Sequence, residues 1–420
     1  MSNEAHRSTP QQRGRRIARR AAALGTVLAL ALTGCASDGG NDSAGGDVKA
    51  VNLGAILPLT GSTAQNGNNS LRGIELAVKQ INDAGGIKSL GGAKIELSTA
   101  DATSDPAKAA NAATQFLSKG EAPLAIVGAY ASGLTVTVAR VTERAKVPLL
   151  STSFSDELTQ QGYEYFFQLP AAASKMGKAQ MGYALEMAEA ADKPLDKVAI
   201  VYANNAYGEA QGTSLKQQAE ESGKEVVLFE GYSPTITDAG PIAAKIIAAK
   251  ADGIFSIAYV NDGVLLMRAL GSQGSAVPVF GGTGGYITPD FLAALDEQAN
   301  GLFSVITSNP DGYGEIGEDY VAEYGEFMPQ EAHDNAAAVF IFAQALEENP
   351  TRDPTELATY LHEGSFDLGA AGQMPGGVVN FDDTGVNVNA VPLMVQWQDG
   401  GLVGVWPKDI VKGVPHWTTK

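Results

Sequence analysis

Short apolar runs alternate with longer amphipathic segments over most of the chain. Val51–Leu57 is an apolar run of strand length, and Leu71, Ile74, Val78 and Ile81 follow it at helical spacing. The alternation continues with strands predicted at 94–100, 124–128 and 147–151, and with helices predicted after Asp105-Pro106 and at 132–145. Strands that alternate with helices predict an α/β fold with a doubly wound parallel sheet.

A second series of the same kind follows Leu169-Pro170, without a close sequence repeat of the first. Its predicted strands are 198–203, 225–231, 253–259, 277–282 and 301–308, and its predicted helices are 181–188, 210–222, 242–251 and 263–270. A further helix is predicted near 335–348, and the segments 391–397 and 402–406 around Asp399-Gly400-Gly401 predict a β-hairpin. The pattern therefore predicts two α/β units in one chain.

The amino-terminal segment reads as an export signal. Five arginines between positions 13 and 20 precede the run AAALGTVLALALTGC at 21–35, whose apolar part is too short to span a bilayer. Its ending, Leu32-Thr33-Gly34-Cys35, resembles the bacterial lipoprotein signal, which implies cleavage after residue 34 and lipidation of Cys35. The small, polar residues 35–49 predict a flexible tether. The arginines leave both general secretion and twin-arginine export open.

Charge and cysteine content restrict the function further. The whole chain carries a formal charge of −18, and removal of residues 1–34, with six Arg and one Glu, leaves −23. A body this acidic does not favour nucleic acid or anionic lipid, so the acyl anchor is expected to supply most of the membrane attachment. Cys35 is the single cysteine, which excludes an intramolecular disulfide.

Recognisable catalytic motifs are missing from the sequence. His333, His362 and His416 lie far apart without metal-ligand spacing, and neither a Gly-x-Ser-x-Gly elbow nor a Walker A loop is present. The glycine-rich segment 281–286, GGTGGY, fails the GxGxxG spacing and is either a close-approach loop at a cleft or a plain turn. We therefore expect no metal, no cofactor and no enzymatic activity.

An ordered set of motifs covers residues 50–407. The segments are VNLGAILPLTG at 51–61, LRGIELA at 71–77, INDAGG at 81–86, Asp101 with SDP at 104–106, IVGAYASG at 126–133, VPLLS at 147–151, YGE at 207–209, FDDTG at 381–385 and VQWQDG at 395–400. This series resembles the type I periplasmic binding proteins, specifically the leucine/isoleucine/valine-binding branch of ABC-transporter receptors. The resemblance implies two doubly wound lobes, joined by three crossovers, with the ligand in the cleft between them.

The resemblance also implies the domain boundaries. Lobe 1 is expected at 50–168 plus 307–371, and lobe 2 at 169–306 plus 372–420, with crossovers near Gln168–Pro170, Thr307-Ser308 and Gly372–Asp382. Doubly wound sheets bind ligands at the carboxyl ends of their strands, so each lobe would turn that edge toward the cleft.

Ligand contacts follow from the same resemblance. Ser132 aligns with a serine that contacts the ligand carboxylate, and it also begins a predicted helix, whose amino end favours an anion. The segment 151–156 aligns with a second carboxylate loop that is one residue shorter here. The remaining aligned positions supply aromatic or polar contacts. The predicted ligand residues are Gln65, Tyr130, Ser132, Ser153, Phe154, Ser155, Tyr207, Tyr259, Asp262, Thr283 and Gly284.

One position departs from the family pattern. The acidic residue that holds the ligand ammonium in branched-chain amino-acid binders aligns with Gly284, and a buried ammonium without a counter-charge is costly. Asp262 could substitute, or the ligand could lack an amine. Thr283 and Tyr286 are further possible contacts. His333-Asp334 could reach the cleft, although a surface helix cap is the favoured interpretation.

The expected function is that of a lipid-anchored, extracytoplasmic and monomeric substrate-binding protein. It would capture an amino acid, or a related carboxylate or amide, and deliver it to an ABC permease. The alternative is a ligand-sensing module that signals to a membrane partner. The mobile anchor, and the lack of a spanning helix fused to a signalling domain, favour transport over sensing.

Overall fold

The computed structural model describes residues 49–120 and 122–417, and the predicted signal peptide and Cys35 lie outside them. The first sheet, sheet A, has five parallel strands in the order β2-β1-β3-β4-β5. Its strands are β1 (Ala50–Leu57), β2 (Lys94–Asp101), β3 (Ala125–Gly128), β4 (Leu149–Ser151) and β5 (Phe166–Gln168).

One helix on the sheet A side, α2 (Pro106–Ser118), begins where the sequence supplies a capping residue and a proline. Asp105 accepts a hydrogen bond from the backbone N–H of Lys108, and Pro106 occupies the first helical position, as predicted. The helices on this side are α1 (Ala64–Asp83), α2 (Pro106–Ser118) and α3 (Ser132–Ala145).

Sheet B has seven strands in the order β12-β11-β10-β9-β8-β6-β7. The pairs β10-β11 and β11-β12 are antiparallel and the others are parallel, so the predicted hairpin extends an otherwise parallel sheet. The strands are β6 (Lys197–Ala203), β7 (Glu225–Tyr232), β8 (Gly253–Ile257), β9 (Val279–Gly281), β10 (Phe303–Ile306), β11 (Leu393–Gln398) and β12 (Gly401–Trp406).

The remaining helices fall into two groups. Those between β5 and β10 are α4 (Ala173–Ala190), α5 (Ala206–Glu221), α6 (Gly240–Ala249), α7 (Val260–Ser272), α8 (Thr283–Tyr286) and α9 (Pro289–Leu295). Those after β10 are α10 (Gly314–Tyr324), α11 (Gln330–Glu348) and α12 (Pro354–Glu363). The last group returns to the sheet A side, where α11 packs along α1 and contacts β3 and β4.

The crossing of α1 and α11 is unusually close. A Cβ placed on Gly73 would lie 2.0 Å from the carbonyl oxygen of Ala332, so only glycine allows the two backbones to approach this far. The crossing brings the amino-terminal halves of two helices together although they are far apart in sequence. It thereby positions several polar side chains described below.

Residues that follow α12 keep to the sheet A side as far as Asn387. Phe366 pairs with Val379, and Phe381 packs its ring 5.2 Å from that of Phe167. The backbone N–H of Gln168 donates to the carbonyl of Gly385 at 2.7 Å. This side thus extends past residue 371, where the sequence suggested a lobe boundary, and the lobe boundaries themselves stay a prediction.

The predicted fold class is confirmed, since two mostly parallel α/β sheets are present. Strand β5 and helices α9, α10 and α12 were not predicted from the sequence pattern. The segment 281–286 differs as well, because a short helix, α8, replaces the predicted loop or turn.

Candidate functional site

Loops from the carboxyl ends of both sheets converge on one cleft. The loops that follow β1 and β6 supply Ser62 and Asn205, and the first turns of α3 and α7 supply Gly133 and Asn261, around a cavity of about 200 Å³. The side-chain amide of Asn261 donates to the carbonyl oxygen of Ser62 across the cleft at 3.1 Å. The strand ends of two doubly wound sheets therefore form the candidate site.

Tyr130 lies at the centre of the sheet A wall. It occupies the turn between β3 and α3 with φ of 67°, a left-handed backbone conformation that is uncommon for a bulky residue. The side chain is buried, and burial raises the pKa of its hydroxyl well above the usual value. The turn thus holds an un-ionised phenol at the cleft.

Ser132 connects two loops of the sheet A wall. It is the first residue of α3, it is buried, and its Oγ accepts a hydrogen bond from the backbone N–H of Phe154 at 3.3 Å. The first N–H groups of a helix have no partner within the helix, so this end offers donors to an anion. Ser132 and the loop after β4 therefore combine hydroxyl and N–H donors in one place.

The loop after β4 is buried along its length. Ser151 and Ser153 are joined through their hydroxyls at 3.1 Å, and the carbonyl of Ser153 accepts from the side-chain amide of Gln168 at 3.0 Å. Ser155 is also buried. The structure thus brings Ser153, Phe154 and Ser155 to the same wall as Ser132.

Three aromatic rings line the site from both sides. The ring of Tyr207 lies 5.7 Å from that of Phe154 and 5.8 Å from that of Tyr259, measured between centroids. The hydroxyl of Tyr207 is buried next to the backbone of Gly284, and burial raises its pKa well above the usual value. Tyr207 therefore presents an un-ionised phenol between the two sides.

Asp262 is placed as a helix-capping residue. Its Oδ1 accepts from the backbone N–H of Tyr259 at 3.0 Å in the capping box of α7, and its Oδ2 accepts from the hydroxyl of Tyr232 at 2.8 Å. Burial raises the pKa of this carboxyl to about 7. Both oxygens are thus already engaged on the sheet B side.

Thr283 and Gly284 contact residues of the sheet A side. Thr283 is hydrogen-bonded through its hydroxyl to Gln330, and the carbonyl of Gly284 accepts from the side-chain amide of Asn66 at 3.1 Å. A Cβ placed on Gly284 would lie 2.9 Å from the hydroxyl oxygen of Tyr130. A side chain at this position would press against the Tyr130 hydroxyl in this conformation.

Gln65 does not join the other predicted residues. It is exposed in the first turn of α1, whereas the next residue, Asn66, is buried and points inward. Consecutive helix residues are turned about 100° from each other, so a one-residue difference decides which side chain faces the cleft.

Glu331 is the main residue that the sequence analysis missed. Its Oε1 accepts from the side-chain amides of Asn66 at 2.9 Å and Asn69 at 3.2 Å, and only 4% of the residue is exposed. Burial raises the pKa of its carboxyl to about 7. The polar run QEAHDN at 330–335, ahead of an otherwise apolar helix, is the signal that could have revealed it.

The favoured interpretation of His333-Asp334 as a surface cap is wrong, because both residues are fully buried within α11. The Oδ2 of Asp334 accepts from the hydroxyl of Thr307 at 2.9 Å and from the side-chain amide of Gln330 at 3.0 Å. The imidazole of His333 stacks on Tyr313, with ring centroids 4.1 Å apart. These side chains join α11 to the segment after β10.

The described residues contain neither a metal-binding cluster nor a membrane-spanning helix. Within 49–120 and 122–417, no group of three or more His, Cys, Asp or Glu side chains is arranged to hold a metal ion. In the same residues, no helix combines the length and apolar character that crossing a bilayer requires.

Comparison with known proteins gives consistent matches. The family model described as "Periplasmic binding protein" matches residues 50–401. A Leu/Ile/Val-binding protein homolog of Brucella abortus (strain 2308) is 30% identical over 377 residues, which cover 86% of this chain and 91% of the relative.

Solved structures agree in fold. The branched-chain amino acid transporter substrate-binding protein of Streptococcus pneumoniae, in complex with isoleucine, has a TM-score of 0.75 at 24% identity and covers 86% of this chain and 100% of its own. A solute-binding protein of R. palustris in complex with benzoate has a TM-score of 0.73 at 19% identity and covers 85% of this chain and 95% of its own.

Proposed function

Because the chain belongs to the periplasmic binding protein family, whose members bind solutes and are not enzymes, we propose that it is an extracytoplasmic receptor for an ABC importer. It captures a small carboxylate-bearing solute, such as an amino acid, by closure of two lobes. The observation that carries this proposal is the convergence of Tyr130, Ser132, Phe154, Tyr207 and Tyr259 on one cleft.

The donors around Ser132 support a carboxylate in the ligand. The serine hydroxyl and the amino end of α3 attract an anion, and the aromatic rings exclude water from the rest of the solute. Two of the similar solved structures contain isoleucine and benzoate, and the chemical group that these two ligands share is a carboxylate. The carboxylate is therefore the common chemistry that we assign to the ligand.

Membrane attachment through Cys35 completes the proposal. The lipobox-like ending of the leader and the acidic body both favour an acyl chain as the anchor. A tether of about a dozen residues allows the receptor to meet a permease and leave it again. The solute would then pass from the opened lobes to the permease.

A ligand screen tests the receptor. Thermal unfolding of the Cys35→Ser protein is followed with L-leucine, L-phenylalanine, benzoate and octanoate, each over a concentration series. A ligand at 100 times its Kd stabilises the folded state by about 2.7 kcal/mol, which raises the melting temperature. If none of these carboxylates moves the transition, the receptor proposal is wrong.

The anchor needs a separate test. In the producing cell, the wild-type protein should sediment with membranes and incorporate labelled fatty acid, whereas Cys35→Ser should be released in soluble form. Ser43→Ala, in the same tether, serves as the matched control and should behave as wild type. Membrane retention of Cys35→Ser would contradict the anchor.

A further inference from the structure

Hydrogen-bond acceptors gather where α11 meets the cleft. Glu331 and Asn335 lie one helical turn apart, and the side-chain amide of Asn335 donates to the hydroxyl of Thr152 at 3.1 Å and to the backbone carbonyl of Glu331 at 2.7 Å. The Oδ1 of Asn335 is fully buried and has no partner within the described residues. This oxygen is an unused acceptor one helical turn from Glu331.

The carbonyl oxygen of Gly284 is the third acceptor. The side-chain amide of Asn66 contacts both this carbonyl, at 3.1 Å, and Oε1 of Glu331, at 2.9 Å. One amide nitrogen therefore bridges the sheet B wall and the buried carboxylate. Glu331 is thereby placed at the cleft and not behind it.

Within residues 49–120 and 122–417, none of the ion pairs includes the Glu331 carboxylate. The charged group that acts on it is another acid, Asp334. A buried carboxylate that is ionised without a cation is strongly unfavourable. An ammonium carries three N–H donors and one positive charge, which suits several acceptors and a carboxylate.

Donors and acceptors thus occupy different parts of the same cleft. The donors lie at Ser132 and the backbone N–H of Phe154, and the acceptors lie at Glu331, Asn335 and the Gly284 carbonyl. A solute with a carboxylate at one end and an ammonium at the other fits both groups. A benzoate or a fatty acid would leave the acceptors unmatched.

We infer that Glu331 supplies the counter-charge for a ligand ammonium, which makes the cargo an amino acid or a similar zwitterion. The inference rests on the proposed receptor function and adds the residue that decides the class of solute. The sequence left two options open at Gly284, namely Asp262 as the counter-charge or a ligand without an amine. Glu331 on α11 provides a third option, in which the ligand has an amine. Asp262 keeps its structural role in the cap of α7.

Paired ligands that differ only in the amine test this assignment. Binding of L-leucine and of 4-methylpentanoate, its deaminated counterpart, is measured by calorimetry on the wild type and on Glu331→Gln. The wild type should prefer L-leucine by at least about 10-fold, and Glu331→Gln should lose on the order of 30-fold in affinity for L-leucine. Affinity for 4-methylpentanoate should change by less than about 3-fold, because glutamine keeps the shape and the acceptor oxygen.

Two further variants provide controls. Glu323→Gln removes an exposed acid on α10 and should leave both affinities unchanged. Asp262→Asn tests the rival acid and should keep the preference for the amine. Loss of that preference in Asp262→Asn but not in Glu331→Gln would overturn the inference.

The wild-type measurement stands without any variant. Equal or tighter binding of 4-methylpentanoate by the wild type would overturn the role of Glu331 and leave the receptor proposal intact. Failure of both the amino acids and the amine-free acids to bind would instead remove the receptor proposal. The two failures are therefore distinguishable.

Discussion

Single side chains at the cleft serve in binding and in folding at once. Ser132 is buried and holds the backbone N–H of Phe154, so the serine fixes the loop after β4 as well as offering a hydroxyl. Glu331 similarly joins α1 to α11 through Asn66 and Asn69. Substitution of either residue is thus expected to change stability and affinity together, and both have to be measured.

Ser132→Ala should weaken ligand binding while leaving the protein folded. Loss of one acceptor for a backbone N–H costs about 1–3 kcal/mol of stability, and loss of a hydrogen bond to a charged ligand group costs about 1.5–3 kcal/mol, or at least 10-fold in Kd. Calorimetry and denaturant unfolding measure the two effects. Ser118→Ala, at the exposed end of α2, is the control. Unchanged affinity would exclude Ser132 from the site.

Glu331→Gln should change how the stability of the ligand-free protein depends on pH. Burial raises the folded pKa of Glu331 from 4.5 to about 7. The folded state therefore holds the proton more tightly than the unfolded state, and stability falls as pH rises from about 4.5 to about 7. The charged group that acts on it is Asp334. The hydroxyls of Tyr130, Tyr313 and Tyr320 also face it, but their raised pKa values keep them neutral over this range.

This loss, on the order of 3 kcal/mol, is absent in Glu331→Gln. In denaturant unfolding without ligand, the free energy of unfolding of Glu331→Gln should rise relative to that of the wild type between pH 4.5 and pH 8. Asp262, whose pKa is also raised to about 7, is present in both proteins and cancels in the difference. A difference that stays constant across this range would contradict the pKa shift of Glu331.

At the scale of elements, the crossing of α1 and α11 decides where the acceptors lie. Asn66 and Glu331 are separated by 265 positions in the chain, yet they touch because Gly73 admits the backbone of Ala332. The crossing is therefore a structural requirement of the binding site as well as of the core.

Gly73→Ala tests that requirement. A Cβ at 2.0 Å from a carbonyl oxygen cannot be relieved by a side-chain rotation, so the helices must separate, and we expect a loss of about 1–3 kcal/mol in stability. Gly182→Ala, in the interior of α4 with no atom within 4 Å of the added Cβ, should be neutral or slightly stabilising. Thermal unfolding compares the two, and equal effects would show that the crossing tolerates separation.

The sequence predicted elements whose residues carry their own start and stop information. Helix α3 was predicted at its observed limits, and α2 begins at the predicted Asp105-Pro106. Strand β5 was not predicted, because its three residues stand directly before Leu169-Pro170, where the pattern indicates a break between the two units. Helix α11 begins at Gln330, five residues before the prediction, because its first turns are polar although tertiary packing buries them.

The candidate site was predictable only in part. The residues that follow strand ends, among them Tyr130, Ser132, Tyr207 and Tyr259, lie close to one another, through ring contacts and the hydrogen bond of Ser132 with Phe154. Asn66 and Glu331 depend on helix rotation and on a long-range helix crossing, and neither property is encoded locally. The affinity roles of all these residues stay predictions until they are measured.

At the scale of the whole molecule, hydrogen bonds join the two sides of the cleft without a ligand. They include those of Asn261 with Ser62, Asn66 with Gly284 and Thr283 with Gln330. A ligand that contacts both walls stabilises the closed state by its differential affinity for that state. A hydrogen bond between the two walls also favours the closed state, so it contributes to the observed affinity for the ligand.

Asn261→Ala should weaken ligand binding, because it removes a hydrogen bond that joins the two walls of the cleft. One exposed hydrogen bond is worth about 0.5–1.5 kcal/mol, which corresponds to a 2- to 12-fold higher Kd, with the change in the dissociation rate. Stopped-flow binding measures it, with Asn111→Ala on the exposed face of α2 as the control. A Kd equal to that of the wild type would show that the Asn261 bond does not contribute to closure.

The direction of β1 has a practical consequence. The strand starts at Ala50 and runs eight residues to Leu57, whose following loop borders the cleft, so the two ends of the strand lie about 23 Å apart. An immobilising support attached through the amino-terminal segment would therefore leave the mouth of the cleft open to solution. The same attachment point would be a poor place for a fluorophore that is meant to sense closure, and a label near Asn261 would report it instead.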